Sequence, residues 1–160
     1  MKVSQNWLKE LVDINTTPEE LSEKLSIGGF EVESLVDTSS KLIGIVLGKV
    51  VSVVKHNNSE KLSICKVDIG TKQLQIICGA NNVRSDIYVY VATIGTYLDK
   101  ADLTIKESEI RGVYSEGMIC SLEEIGFEEK SDGIAIVEKS VYQKFELGTP
   151  ISELLELNDF

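Results

Sequence analysis

Residues 42–54, LIGIVLGKVVSVV, form the run that decides the fold. It is long, rich in β-branched side chains, and carries Gly44 and Gly48. Val and Ile suit a pleated, half-buried surface, and glycine inside a strand marks a bulge or a sharp bend. A strand that bends this way suits a small closed barrel, which must turn corners. Working outward, residues 62–69 alternate, and the turn Gly70-Thr71-Lys72 leads into residues 74–78. These two segments read as a hairpin. Residues 87–92 follow Asp86, and residues 103–110 follow a polar turn. The expected fold class is α+β: a five-stranded Greek-key barrel of the OB type with a small flanking α/β segment formed by the N- and C-terminal parts. Patterning alone fits a sandwich or another small barrel as well.

Before the barrel, Ser4 can cap a short helix with Trp7, Leu8, Leu11 and Val12 at helical spacing. Thr17-Pro18-Glu19-Glu20 combines a capping hydroxyl, a proline at the first helical position and a glutamate three residues on. Leu21 and Leu25 supply that helix's apolar face, and Gly28-Gly29 ends it. Phe30, Val32 and Leu35 begin an extended segment. After the strands, residues 121–126 read as one helical turn with Ser121 as cap and Glu124 closing a capping box. Asp132-Gly133 turns into residues 134–137, and Gly148-Thr149-Pro150 opens a short helix over 151–157.

The chain has 160 residues, two prolines and no low-complexity tract, so it can bury a core without staples. No apolar run approaches the ~20 residues that span a bilayer. Gln5, Asn6, Lys9 and Glu10 interrupt any signal-like segment after Lys2. A soluble cytoplasmic protein without a membrane partner is expected. The pattern at Phe160 reads as unfinished, which suggests a piece of something longer. Net charge is −10, yet residues 41–121 hold ten Lys/Arg against eight Asp/Glu. The acid lies in the flanks, where it solvates helices.

Cys65, Cys78 and Cys120 are widely spaced. They read as reduced, packed thiols. A zinc site using them with His56 is the sharper alternative, but no pair has close metal-ligand spacing, and no metal is expected. Catalytic residues are not expected either. His56 is the only histidine, no GxxxxGK[ST] loop is present, and Glu107 and Glu109 share one strand face as solvated charges do.

Nucleic-acid binding has more support. The candidate cations are Lys49, Lys55, Lys61, Lys66, Arg84, Lys106 and Arg111. In Ile87-Tyr88-Val89-Tyr90-Val91 the apolar set takes one face and Tyr88 and Tyr90 the other. If the apolar set fills the barrel, the tyrosines point outward, either to stack on bases or to pack beneath a neighbour. In Ser115-Glu116-Gly117-Met118, Ser115 can donate to a phosphate and Gly117 can shape a loop. Glu116 would repel phosphate, so its expected work is to orient backbone amides or a nearby Lys/Arg, and Met118 is expected as core filler.

Three blocks carry a resemblance. His56-Asn57-Asn58-Ser59-Glu60-Lys61-Leu62 is similar to the His-Pro-x-Ala-Asp-Lys-Leu block of the OB-type tRNA-binding module of aminoacyl-tRNA synthetases, with Asn57, Ser59 and Glu60 as departures. Cys78-Gly79-Ala80-Asn81-Asn82-Val83 and the block from Ser108 to Ser121 follow that module closely, as does Asp132-Gly133-Ile134. Ser4-x-x-Trp7-Leu8 and Gly28-Gly29-Phe30-Glu31-Val32-Glu33 further resemble the first part of bacterial phenylalanyl-tRNA synthetase beta subunits.

That resemblance implies a tRNA-binding and assembly region of a ligase that charges tRNA-Phe, itself without catalysis and without a cofactor. It implies an alpha subunit as partner in an (αβ)₂ assembly, with ATP and Mg²⁺ used by the full synthetase. RNA would be bound by backbone and shape. The alternatives are a protein–protein scaffold within the synthetase, or a stand-alone tRNA-binding homodimer. The implied domains are residues 1–38 as part of a discontinuous helical/strand domain, 39–148 as the barrel, and 149–160 as the return into the first domain. Apolar surface is then expected around Leu8, Leu21, Leu25, Leu154 and Leu155.

Overall fold

The computed structural model describes residues 3–37 and 39–155. Two helices come first, α1 (Gln5–Leu11) and α2 (Pro18–Ile27). Ser4 Oγ accepts from Trp7 N–H at 3.0 Å, and Thr17 Oγ1 accepts from Glu20 N–H at 3.2 Å. Both expected caps are therefore in place. At the far end of α2, Phe30 N–H reaches Leu25 O and Gly29 N–H reaches Ser26 O, with Gly29 at φ +92°. This is a Schellman ending, and the left-handed residue is the glycine that tolerates it.

The strands follow: β1 (Ile45–Lys55), β2 (Ser63–Asp68), β3 (Gln73–Cys78), β4 (Tyr88–Thr93), β5 (Tyr97–Leu98), β6 (Leu103–Thr104), β7 (Ser108–Ile110), β8 (Val113–Ser115) and β9 (Gly117–Ile119). The main sheet has the antiparallel order β3-β2-β1-β4-β9 and nearly closes on itself. Sequence placed the fifth strand at 103–110. That stretch instead divides between two small hairpins, β5–β6 and β7–β8, and the fifth barrel strand is β9. The five-stranded barrel of the OB type is otherwise as expected.

Strand β4 and the first half of β1 are covered on both faces. The inner set, including Val50, Val67, Leu74, Ile76, Val89, Val91 and Ile119, fills the barrel. The outer set, Ile45 and Leu47 on β1 and Tyr90 and Ala92 on β4, packs with Ile105, Cys120, Val137, Ile151 and Leu154. Short helices α3 (Lys139–Tyr142) and α4 (Ile151–Leu154) belong to this outer layer's covering segment. Gly148 N–H donates to Leu47 O, Leu47 N–H donates to Thr149 O, and Pro150 bridges to Val46. Residues 149–155, the expected start of the return into the first domain, thus lie on the barrel. Leu154, expected on an apolar surface, is buried there, and Leu155 is half-buried.

Gly48 makes no bulge, contrary to one reading of the sequence. The bulge lies between Val50 and Ser52. Gly48 is needed for space: a Cβ there would stand 2.6 Å from Val91 Cγ2 and 3.0 Å from Val67 Cγ1. In residues 121–126 the capping box forms, with Ser121 N–H on Glu124 Oε2 at 2.7 Å and Glu124 N–H on Ser121 Oγ at 3.2 Å, but it closes turns and no helix. No helix among the described residues is long and apolar enough to cross a membrane.

Candidate nucleic-acid interface

The barrel closes where β3 meets the β8–β9 corner, and side chains complete the ladder. Glu116 N–H donates to Gln75 O at 2.8 Å, while the Glu116 carboxylate accepts from Gln75 N–H at 2.9 Å. Ser115 Oγ accepts from Ile77 N–H at 3.1 Å and donates to Gly117 O at 3.1 Å. Otherwise these donors on β3 would face an open edge. Of the two tasks expected for Glu116, it performs the first, orienting a backbone amide. Ser115 is 3 % exposed with its hydroxyl committed, so it offers no donor to a phosphate. Gly117 is a strand residue rather than a loop former, and a Cβ on it would sit 2.9 Å from Ala92 O.

A second junction joins the β1–β2 loop to the β7–β8 turn. Asn58 N–H donates to His56 Nδ1 at 3.0 Å, and His56 Nε2 lies 3.1 Å from Ile110 O. Amides donate and carbonyls accept, so the pattern requires the Nε2–H tautomer. Asn58 Nδ2 donates to Arg111 O at 3.3 Å, and Arg111 Nη1 donates to Asn58 O at 2.9 Å. Arg111 adopts φ +52°, a conformation costly for a non-glycine residue. Its guanidinium therefore has a structural task, although the side chain remains exposed.

Asn82 makes the third junction. Its Nδ2 donates to Ile134 O at 2.9 Å and its Oδ1 accepts from Ile134 N–H at 3.0 Å. The Cys-Gly-Ala-Asn-Asn block is thereby fixed to Asp132-Gly133-Ile134. The second and third signature blocks, together with Gly133 and Ile134, line one open groove of about 870 Å³, with Cys78, Gly79, Lys106, Ile110 and Gly117 on its wall; the His56–Leu62 block lies outside it. Lys100 and Lys106 stand on its wall, as do Glu123 and Glu124. Both glutamates are occupied, Glu123 by Ser131 N–H at 3.1 Å and Glu124 by Ser121 N–H.

The cations divide into groups. Lys55 is the last residue of β1, paired with Ser63, which pairs in turn with Cys78. Lys61 lies in the loop that Arg111 anchors, so Lys55, Lys61 and Arg111 gather at one end of the barrel. Lys66 is exposed on β2, Arg84 on the loop after β3, and Lys106 at the groove. Lys49 lies six positions from Lys55 along β1, roughly 20 Å away. It is bound to Asp86 at 3.2 Å and lies 5.8 Å from the Tyr88 ring centroid. Lys55, Lys61, Lys66, Arg84 and Lys106 make no ion pair among the described residues.

The tyrosine alternation is as expected, but the outward face is covered. Tyr90 is 7 % exposed within the outer core, and burial pushes its hydroxyl pKa up. Tyr88 stacks on Tyr142, with ring centroids 3.8 Å apart and planes 7° from parallel. Tyr90 has no free face, and one face of Tyr88 is already taken by Tyr142. Sequence reasoning did not single out Tyr114, Gln75 or the pairing role of Asn82. For Tyr114 the signal is Val-Tyr-Ser alternation, with the half-buried Val113 and buried Ser115 flanking an exposed ring.

The three cysteines are free and buried. Burial pushes the Cys65 thiol up to about 12, with a smaller contribution from Cys78. Burial likewise pushes the Cys120 thiol up to about 12, with Glu124 adding to it. Among the described residues no group of three or more His, Cys, Asp and Glu side chains could hold a metal ion.

Residues 45–146 match the family described as "Putative tRNA binding domain". Over its full length the chain is 67% identical to the phenylalanine–tRNA ligase beta subunit of Prochlorococcus marinus (strain MIT 9312), across 161 aligned residues. It is 68% identical to that of Prochlorococcus marinus subsp. pastoris (strain CCMP1986 / NIES-2087 / MED4), again across 161 residues. The chain spans 20% of the length of each of these relatives. Among solved structures, a MetRS related protein from Pyrococcus horikoshii is similar at a TM-score of 0.48 with 19% identity, covering 66% of this chain and 86% of that one. The chain belongs to the tRNA-binding domain family, in the form shared with phenylalanine–tRNA ligase beta subunits.

Proposed function

We propose that this chain is the tRNA-binding and assembly region of a phenylalanine–tRNA ligase beta subunit. It works in the cytoplasm beside an alpha subunit in an (αβ)₂ assembly. The full enzyme charges tRNA-Phe with phenylalanine using ATP and Mg²⁺, which the alpha subunit holds; this chain supplies neither catalysis nor a metal site. Residues 1–38 and 149–160 are then two pieces of one discontinuous domain around the barrel. The observation that carries the reading is that two signature blocks and Gly133-Ile134 line one groove with exposed Lys106 on its wall, while Lys55, Lys61 and Arg111 gather at one end of the same barrel. Lys55, Lys61, Lys66, Arg84, Lys106 and Arg111 contact phosphates, with Lys49 a lesser contributor because Asp86 already neutralises it. Contacts of this kind position RNA without reading its sequence.

Titration of the 160-residue chain with tRNA at two salt concentrations tests this. Arg111→Ala is a poor probe, because it also unties the β1–β2 loop. The triple variant Lys61→Ala, Lys66→Ala, Lys106→Ala removes charge without removing a hydrogen bond that shapes the fold. Saturable binding is expected, with a log–log salt slope that falls by about 2–3 in the variant. Absence of binding at low salt, or an unchanged slope, would defeat the proposal.

A second reading has an observation of its own. Trp7, Leu11, Val12, Ile27 and Phe30 are exposed on the first 30 residues. That distribution suits a scaffold that packs against protein, and binding to a purified alpha subunit in the absence of tRNA would favour it.

A further inference from the structure

We propose that Tyr114 is the platform on which an unpaired RNA base stacks. The inference rests on the RNA-binding reading and deepens it, from backbone contact to contact with single-stranded bases.

The chain has five tyrosines. Tyr90 is buried, and Tyr88 and Tyr142 are half-buried and already stacked on each other. Tyr97 gives its hydroxyl to Asp102 at 2.7 Å, and Asp99 acts on the same ring. Two carboxylates beside a ring repel the phosphates that must accompany any base. Phe127 precedes Glu128 and Glu129, while Trp7 and Phe30 lie in the acidic N-terminal flank. Tyr114 remains, 57 % exposed.

Its backbone is held firmly. Gln75 Nε2 donates to Tyr114 O at 3.0 Å, the next residue is fixed through Ser115 Oγ and Ile77 N–H, and Tyr114 pairs with Glu109 across the β7–β8 hairpin. A ring on a pinned backbone has few torsions left to lose when a base settles on it. Two cations lie near it, one across β3 and one at the end of its own hairpin. Gln75 pairs with Lys66 in the β2–β3 ladder, which places Lys66 about two strand spacings, roughly 10 Å, from the Tyr114 backbone. Arg111 lies three residues back, in the same hairpin's turn. Glu109 stands on the other side, so the RNA backbone passes on the Lys66 side. Stacking needs only a π face, so any base suffices.

The test compares two RNAs with the whole chain at low salt: an oligouridine of roughly 12 nucleotides, within the usual site size, and a blunt duplex of the same length. Tyr114→Leu is expected to weaken oligouridine binding about 5- to 100-fold, Tyr114→Phe to leave it within about twofold, and both to leave duplex binding within about twofold. Oligouridine binding by Tyr114→Leu at the wild-type level, or equal loss on both RNAs, overturns the stacking role and leaves the RNA reading intact. Failure of the wild-type chain to bind either RNA overturns both.

Discussion

Residues 3–37 and the barrel differ in where their order comes from. Among residues 3–37 the only buried side chain is that of Gln5, and Trp7 and Ile27 are 55 % and 81 % exposed. In the barrel, β4 and the first half of β1 are covered on both faces. Yet the helices carry the better local signals, with a hydroxyl cap on each and a Schellman ending on α2. Helices of 7 and 10 residues fall below the ~12–15 at which an isolated helix becomes even marginal. Local chemistry therefore selects the conformation in both regions, whereas burial stabilises only one. The apolar face of the N-terminal region awaits a covering surface, and under the proposed function that surface is protein.

The largest expected effect separates the two regions directly. Ile76 is fully buried inside the barrel. Ile76→Ala removes three carbons from a close-packed site and is expected to cost about 2–5 kcal/mol. Trp7→Ser removes a far larger side chain from an exposed position and is expected to change stability by less than about 0.5 kcal/mol. Denaturant melts of the two variants, followed by a barrel-sensitive signal, check the pair. A comparable loss in Trp7→Ser would mean that the N-terminal region is already coupled to the barrel.

Thiol ionisation at alkaline pH should report the barrel and its outer layer, since Cys65 and Cys78 lie in the first and Cys120 in the second. Cys65 and Cys120 ionise in the unfolded chain near the ordinary thiol value, and burial in the fold raises each to about 12. Unfolded chains therefore lose these protons first as pH rises. The stabilisation is complete below about pH 8.5 and is lost between there and pH 12, at about 1.4 kcal/mol per pH unit for each thiol. Cys65→Ala and Cys120→Ala should each flatten that decline. Ellipticity from α1 and α2 should show no matching transition, and a joint one would erase the distinction between the regions.

Legibility follows the same division. Strands β2 and β3 could be read because alternation over six residues records two environments per strand, and β1 and β4 because they are runs rich in β-branched and aromatic side chains. The fifth could not: β9 is three residues long and begins with glycine, which weakens strand propensity. Its role at the barrel seam depends on Glu116 and Ser115 meeting β3, some forty residues earlier. A serine that closes a sheet edge and one that meets a phosphate look alike in sequence. Tyr90 shows the same limit. Its side of the strand was correctly assigned, but the layer over it comes from residues 135–154, joined to the barrel through isolated bridges and single hydrogen bonds that have no period. The signature blocks were legible as blocks. Their junctions through Asn58, Asn82 and His56 are long-range contacts, and only the fold brings them together.

The smallest effect tests whether local order is all that α2 has. Thr17→Ala removes the acceptor for Glu20 N–H at the helix start, a loss of about 1 kcal/mol to the helix. Pro18 keeps the first φ helical, and Glu19 and Glu20 still favour the N-terminal dipole, so the helix frays without vanishing. Amide exchange over residues 20–27 should accelerate by about fivefold, while the barrel's denaturation midpoint stays in place. Packing decides the outcome. A helix that buries nothing passes none of its lost free energy to the rest of the molecule, whereas one docked on the barrel shares it. A midpoint shift equivalent to the full ~1 kcal/mol would show that α2 is part of the barrel's cooperative unit. Repeating the exchange measurement with the proposed alpha-subunit partner sharpens the contrast: once the exposed face of α2 is covered, the same substitution should accelerate exchange far less, because burial then holds what the cap alone held before.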